Sequence, residues 1–188
     1  MTVLRLFVAI PAPDSVRNLL LATQARLAAS GADVRWEPGE KLHCTLVFLG
    51  ETPAERLEDV VRAVRQGARG TGPFEVGYRG IGFFPGPDRP RIVWAGIEDA
   101  AEVLARLHGA MVAALVAAGI PCDEKPFHAH VTLGRVRGLR HLARLTTNAK
   151  TCTLEHPPVT VREIVIVRSA LKPGGSEYSV LQSLPLTA

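Results

Sequence analysis

Two stretches of the sequence contain the same pattern, HCTLVFLG at residues 43–50 and HAHVTLGR at residues 128–135. Each includes a histidine, one variable residue, a threonine and a leucine, within a run of β-branched and other apolar residues that favours a strand. The histidines of the two patterns, His43 and His130, are 87 positions apart in a chain of 188 residues. This spacing predicts two related halves, each of which supplies one strand with the pattern.

Apolar periodicity and turn residues around these strands predict a mixed fold. We predict helices at 13–30, 53–68, 99–119 and 139–147. We predict strands at 4–11, 33–36, 42–50, 73–84, 91–97, 127–136, 159–171 and 178–186. Tight turns such as PGPDRP at 85–90 join several strands, which favours the α+β class with antiparallel sheets. A pseudo-two-fold arrangement of the halves would bring the two patterned strands face to face.

Composition indicates an ordinary globular protein, with 47% apolar and 21% charged residues. The length suits one sizeable domain or two small lobes with a shared core, and we expect residues 1–188 to form a single domain. No apolar run reaches the roughly 18 residues that a membrane span needs, so no membrane association is expected. The three cysteines are odd in number and form no Cys-x-x-Cys pair, which disfavours a disulfide framework. We therefore expect a cytoplasmic protein.

The chain is basic, with a formal net charge of +4. Only four of its 22 cationic side chains are lysines, and the rest are arginines. Guanidinium groups bind phosphate through paired hydrogen bonds, so an anionic partner is one interpretation. Codon usage in a GC-rich genome is the other, and the charge alone does not separate them.

The repeated pattern places polar groups on one face of each strand. Residues two apart in a strand point to the same side, about 6.5 to 7 Å apart, so His43 and Thr45 share a face. His130 and Thr132 share a face in the same way. If the two faces meet, one imidazole can take a proton from water while the other gives a proton to a departing oxygen. The threonine hydroxyls can donate to phosphate oxygens, and the set suits cleavage of a phosphodiester without a metal.

The histidines have two other interpretations. A single His-x-Thr in a strand is more often packed than catalytic, but two copies that both continue with leucine favour function. A metal site could use His43, His130 and perhaps His128. Carboxylate or thiolate companions at ligand spacing are missing around both patterns, which disfavours a metal. His108, His141 and His156 are expected to face solvent.

The chain resembles the two-histidine (2H) phosphoesterase superfamily, and within it the RNA 2′,3′-cyclic phosphodiesterases, formerly called 2′-5′ RNA ligases. Besides the two patterns, the stretches that carry this resemblance are RLFVAIPAP, VRWEPGEKLHCTLVFLGE, GFFPGPDRPRIVWAGI, PFHAHVTLGRVR and SALKPGGSEYSVLQSLPL. They cover nearly the whole chain in order. One departure is Ala129, where the family usually has a proline before the second histidine.

The resemblance implies a bilobal fold in which two antiparallel sheets face a central cleft and helices lie outside. It places His43 and His130 opposite each other as catalytic residues, Thr45 and Thr132 on the phosphate, and Phe48 and Arg135 against the nucleobase. Phe48 and Arg135 each follow their histidine by five positions. That odd offset puts both on the wrong face of an ideal strand, so each strand must end, twist or bulge near Gly50 and Gly134.

The expected reaction is hydrolysis of an RNA 2′,3′-cyclic phosphate end to a 2′-phosphomonoester by a monomer that needs no cofactor or metal. His43 is assigned as the acid toward O3′ and His130 as the base toward water, although the two roles could be reversed. Three alternatives stay open at this point. They are ligation of cyclic-phosphate and 5′-hydroxyl RNA ends, silent RNA binding, and hydrolysis of a small cyclic nucleotide or ADP-ribose cyclic phosphate.

Overall fold

The structure is a computed structural model that describes residues 2–99, 102–123, 125–173 and 175–188. Its strands, in chain order, are β1 Val3–Pro11, β2 Val34–Trp36, β3 His43–Pro53, β4 Phe74–Phe84, β5 Ile92–Glu98, β6 His130–Val136, β7 Glu155–Val161, β8 Glu163–Lys172 and β9 Gly175–Pro185. Its helices are α1 Asp14–Ala28, α2 Leu57–Ala68, α3 Val103–Ala117 and α4 Leu142–Thr151. Short 3₁₀ turns at Gly39–Lys41 and Ala54–Arg56 precede β3 and α2.

The strands form one antiparallel sheet in the order β7-β4-β5-β6-β3-β1-β8-β9, with β2 paired to β6 outside this path. We call β3, β1, β8 and β9 the first lobe, and β6, β5, β4, β7 and β2 the second lobe. The lobes meet where β3 pairs with β6, through Cys44 and Val131. The expected α+β class, bilobal arrangement and antiparallel pairing are confirmed, and the two expected sheets are continuous through this single pair.

The two faces of the sheet have different neighbours. Leu6 and Val8 of β1 and Ile164 and Ile166 of β8 belong to the main core, together with the buried stripes of the helices. Phe7 and Ala9 of β1 pack instead with Val165, Val167 and Tyr178 on the opposite face. Alternate residues of a strand point to opposite sides, so these two sets define a helix face and a cleft face.

Helices α2 and α3 approach closely because α2 has a glycine at the crossing. A Cβ atom at Gly67 would lie 2.6 Å from the Cα atom of Met111 in α3. Any larger residue would therefore force the helices apart.

Two predicted elements differ from the structure in their extent. The predicted strand at 159–171 is two strands, β7 and β8, which are interrupted at Arg162 and lie in different lobes. β7 pairs with β4 at one edge of the sheet, whereas β8 pairs with β1 and β9. The predicted helix at 99–119 begins at Val103 and ends at Ala117, and its positions 100 and 101 lie outside the described residues. The other predicted helices and strands are present with shifted ends.

Candidate active site

Both patterned strands line one cleft between the lobes, with a volume of about 780 Å³. β3 contributes His43, Thr45 and Phe48 to its lining. β6 contributes His130, Thr132 and Arg135. The structure thus brings together all six side chains that the sequence singled out. Phe48 is 49% exposed, so it forms part of the cleft wall and not of the core.

Each patterned strand contains a bulge directly after its threonine. Between β1 and β3 the register passes from Thr45 to Val47, which leaves Leu46 as an extra residue. Between β5 and β6 it passes from Thr132 to Gly134, which leaves Leu133 as an extra residue. An extra residue inverts the alternation that follows it. The bulges therefore turn Phe48 and Arg135, each five positions after its histidine, into the cleft.

A helix side chain donates to the carbonyl of each bulged residue. His108 of α3 donates from Nδ1 to the Leu46 carbonyl at 2.8 Å. Gln24 of α1 donates from Nε2 to the carbonyls of Leu133 and Glu37, each at 2.8 Å. Bulges interrupt the ladder of backbone hydrogen bonds, and these side chains donate to the carbonyls there. The Leu133 carbonyl also accepts from the Glu37 amide at 2.8 Å. The expectation that His108 faces solvent is wrong, because its ring also stacks on Phe127 with centroids 4.8 Å apart.

Gln24→Leu is expected to lower the free energy of unfolding by about 1–3 kcal/mol, because the Leu133 and Glu37 carbonyls each lose their side-chain donor. We also expect kcat/KM to fall, since Leu133 and Glu37 flank the position of Arg135. Urea unfolding and steady-state kinetics would measure both effects. The matched control is Gln66→Leu on the exposed side of α2, which should change stability by less than about 0.5 kcal/mol. Equal stability of the two variants would contradict a role for Gln24 in holding the bulge.

The two imidazoles are oriented by the same backbone contact. His43 Nδ1 donates to the Lys41 carbonyl at 2.6 Å, and His130 Nδ1 donates to the His128 carbonyl at 2.7 Å. Because a carbonyl can only accept, Nδ1 holds the proton of each neutral ring and Nε2 is the free base. His43 Nε2 lies 3.0 Å from the Thr45 hydroxyl. In each ring Nε2 is therefore the nitrogen that can take up or give a proton in a reaction.

Aromatic rings surround both imidazoles. On the first lobe, Phe7 stacks on His43 with centroids 4.9 Å apart, and Tyr178 meets the same ring edge-on at 5.6 Å. On the second lobe, Phe84 and Trp94 approach His130 at 5.1 and 6.2 Å. Apolar walls of this kind remove water from the rings and fix their rotamers.

Burial lowers the pKa of both imidazoles. For His43, loss of solvation is the largest cause of the lower pKa, and the Lys41 carbonyl and the Glu37 carboxylate act in the opposite direction. For His130, loss of solvation again dominates, the His128 carbonyl opposes it, and the positive charge of His128 lowers the pKa further. The charge of His130 also lowers the pKa of His43, so the two rings interact electrostatically.

An ion pair crosses the cleft wall on the second lobe. Arg135 Nε lies 3.3 Å from a carboxylate oxygen of Glu37, whose side chain is only 16% exposed. Arg135 is itself about half exposed. This contact holds a half-exposed guanidinium at the cleft lining, where a planar group can stack against a planar ligand.

A cysteine nucleophile and a metal ion have less support in this cleft. Burial raises the pKa of the Cys44 thiol to about 12, so it stays a thiol at neutral pH and is a poor nucleophile. Among the described residues, no three or more His, Cys, Asp or Glu side chains are grouped to hold a metal ion.

Four residues at this site were not singled out from the sequence, namely Tyr178, Glu37, Gln24 and His108. Gln24 and His108 could have been, because both fall among the apolar residues on the inner side of a helix.

No helix in the part of the chain that the structure describes is long and apolar enough to cross a membrane.

Comparison with known proteins identifies what this chain resembles. The family model described as LigT like Phosphoesterase matches twice, at residues 10–94 and 96–178, and each match contains one His-x-Thr-Leu pattern. An RNA 2′,3′-cyclic phosphodiesterase of Methanothermobacter thermautotrophicus is 32% identical over 95% of this chain and 96% of its own length. Another of that name from Thermus thermophilus is 35% identical over 97% of this chain and 90% of its own length.

Solved structures agree with this relationship. A crystal structure of a Thermus thermophilus protein superposes with a TM-score of 0.80 and 31% identity, over 97% of each chain. A crystal structure of E. coli LigT complexed with 3′-AMP superposes with a TM-score of 0.77 over the full length of both chains. Its identity of 24% makes this second likeness one of fold.

Proposed function

The chain belongs to the LigT-like phosphoesterase family, and we propose that it hydrolyses 2′,3′-cyclic phosphate ends of RNA to 2′-phosphomonoesters without a metal. The observation that carries this proposal is the matched pair of imidazoles in one cleft, each with Nδ1 bound to a backbone carbonyl, so that Nε2 is the nitrogen that can exchange a proton. The names of relatives that are 32% and 35% identical over most of the chain support RNA as the substrate.

The reaction needs one proton acceptor and one proton donor on opposite sides of the phosphorus. His130 Nε2 takes a proton from water as the water oxygen forms a bond to phosphorus. The bond from phosphorus to O3′ breaks, and His43 Nε2 gives its proton to O3′. The product is a 2′-phosphomonoester with a free 3′-hydroxyl, and the two histidines have exchanged protonation states.

Charged neighbours support this division of roles. The Glu37 carboxylate raises the pKa of His43, as an acid requires, and opposes the charges of His130 and Arg135, which lower it. The charges of His128 and Arg135 both lower the pKa of His130, as a base requires.

The remaining four residues bind the substrate in this proposal. Thr45 and Thr132 donate their hydroxyls to the non-bridging phosphate oxygens. Phe48 and Arg135 hold the terminal base between an aromatic ring and a guanidinium plane, an arrangement that does not depend on base identity. The bulges and the Glu37–Arg135 pair support this, because they present both groups to the cleft.

The direct test is a short RNA with a 2′,3′-cyclic end, incubated with EDTA present, followed by identification of the product isomer. We expect the 2′-phosphomonoester at an undiminished rate. A 3′-phosphate product would contradict the direction of bond cleavage, and loss of activity with EDTA would contradict a reaction without metal. A longer product formed from cyclic-phosphate and 5′-hydroxyl RNA ends would indicate ligation.

The pH dependence follows from the lowered pKa of both imidazoles. The reacting form has His43 protonated and His130 neutral, so it is lost as pH rises through the pKa of His43 and as pH falls through that of His130. Since burial holds both below the ordinary value of about 6.5, kcat/KM should peak on the acid side of that value. A bound phosphate anion raises both pKa values, so the kcat profile should lie at higher pH.

Glu37→Gln provides a check on the pH profile. The Glu37 carboxylate raises the pKa of His43, so its removal should lower that pKa. The alkaline limb of kcat/KM should then move to lower pH. An optimum of kcat/KM above about pH 7 in the unmodified protein would contradict the assignment.

The proposal extends to the whole molecule. We propose that residues 1–188 act as one domain, since β7 and β8 are consecutive in sequence but lie in different lobes. We also propose that the enzyme is a cytoplasmic monomer, because one chain supplies all six residues and Cys44, Cys122 and Cys152 form no disulfide. Light scattering would test the monomer.

A further inference from the structure

One wall of the cleft has a group of polar and cationic side chains that the proposed reaction does not use. Tyr178 of β9 projects from the cleft face of the first lobe, 5.6 Å from the ring of His43 and 5.1 Å from the ring of Phe7. Ser169 of β8 is its cross-strand neighbour, and both line the cleft. Tyr178 thus lies beside His43 in the cleft and is not one of the six residues used by the proposed reaction.

Three cations lie around this tyrosine. Lys41 Nζ is 5.7 Å from the centre of the Tyr178 ring. Arg5 of β1 and Arg35 of β2 line the same cleft. Burial and the Glu37 carboxylate raise the pKa of Tyr178, and the positive charges of Arg135, Arg5 and Arg35 oppose that increase. Both arginines therefore lie within electrostatic range of the hydroxyl.

Arg35 is held on this wall although its strand belongs to the second lobe. A Cβ atom at Gly175, the first residue of β9, would collide with the Arg35 guanidinium. The guanidinium therefore packs directly against the β9 backbone, three residues from Tyr178. The Glu37 carboxylate raises the pKa of Tyr178. It is paired with Arg135, so the negative charge of Glu37 is balanced on the second lobe.

Hydroxyl, guanidinium and ammonium groups together are suited to a phosphate. In an RNA strand the next phosphate lies one nucleotide from the cyclic end, whereas a nucleoside 2′,3′-cyclic phosphate has none. Resting on the proposed function, we propose that Tyr178, Arg5, Arg35 and Lys41 form a second phosphate subsite, which binds the phosphodiester on the 5′ side of the terminal nucleotide. The enzyme is therefore selective for an RNA strand over a nucleoside cyclic phosphate.

The test compares three substrates: adenosine 2′,3′-cyclic phosphate, the adenosine dinucleotide with a 2′,3′-cyclic end, and the same dinucleotide with a neutral methylphosphonate linkage. Charge-assisted hydrogen bonds predict a kcat/KM about 10- to 100-fold higher for the charged dinucleotide than for either other substrate. Equal kcat/KM for the charged and neutral dinucleotides would overturn the subsite. Failure to hydrolyse any of the three would overturn the proposed function instead.

Two variants test whether Tyr178 and Arg5 cause this difference between the substrates. Tyr178→Phe keeps the ring against His43 and Phe7 but removes the hydroxyl, and Arg5→Gln removes one charge. For each, the loss of kcat/KM with the charged dinucleotide should exceed the loss with the methylphosphonate by about tenfold. The matched control is Arg168→Gln, which removes an exposed guanidinium of β8 that does not line the cleft. It should affect both dinucleotides equally. Equal losses on both substrates in the Tyr178→Phe variant would overturn the subsite.

Discussion

His43→Ala and His130→Ala are each expected to lower kcat by about 10²- to 10⁴-fold. Each variant removes one of the two proton transfers, while the hydroxyls and the base-binding groups remain. The loss should appear in kcat and much less in KM, because proton transfer occurs only in the transition state. Single-turnover kinetics on an RNA with a cyclic end would measure it. The double variant should lose less than the product of the single losses, since the two groups act as a unit.

His128→Ala is the matched control for these variants. His128 lies two residues before His130, and its ring packs against Trp94 with centroids 4.8 Å apart. The alanine variant keeps the backbone carbonyl that orients His130, because that contact does not involve the side chain. We expect a change far smaller than that of His130→Ala. An unimpaired His130→Ala variant would remove the basis for the proposed mechanism.

A sulfur-substituted substrate separates the acid from the base. If sulfur replaces the bridging 3′ oxygen, the leaving group is a thiolate, which needs no proton because the pKa of a thiol is only about 8.5. This substrate should restore much of the activity of His43→Ala and little of that of His130→Ala. The opposite pattern would show that the two histidines have exchanged roles.

The sequence predicted which histidine and threonine lie together because the His-x-Thr spacing matches one face of a strand. Residues two apart share a face whatever the rest of the fold does, so His43 and Thr45 could be placed together without knowledge of the tertiary structure. The same rule could not place Phe48. The run Leu46–Leu49 is apolar throughout, so no alternation between polar and apolar residues reveals the bulge at Leu46. The bulge depends on the register with β1, which is a non-local property.

The break between β7 and β8 was missed for a related reason. Residues 159–171 favour strand throughout, and strand preference contains no information about which partner a segment pairs with. The chain passes between lobes at Arg162, whose carbonyl accepts a hydrogen bond from the Leu186 amide. That contact joins positions 24 residues apart, so only the folded chain reveals it.

Thr45→Val and Thr132→Val should each lower kcat by about 10²- to 10³-fold, the cost of removing one donor to a developing oxyanion. Valine keeps the branched shape that suits a strand but cannot donate to a phosphate oxygen. Because the donated bond strengthens as charge develops on phosphorus, kcat and kcat/KM should fall together. Steady-state kinetics with the charged dinucleotide would measure both constants.

Serine at the same positions separates the hydroxyl from the methyl group. Thr45→Ser and Thr132→Ser should retain most of the activity, because the donor remains and only a methyl group is lost. Thr45 has a second contact besides its proposed bond to phosphate, since its hydroxyl lies 3.0 Å from His43 Nε2. We therefore expect Thr45→Val to lose more activity than Thr132→Val. A rise in KM with unchanged kcat in either valine variant would mean that the hydroxyl binds the ground state and the transition state equally.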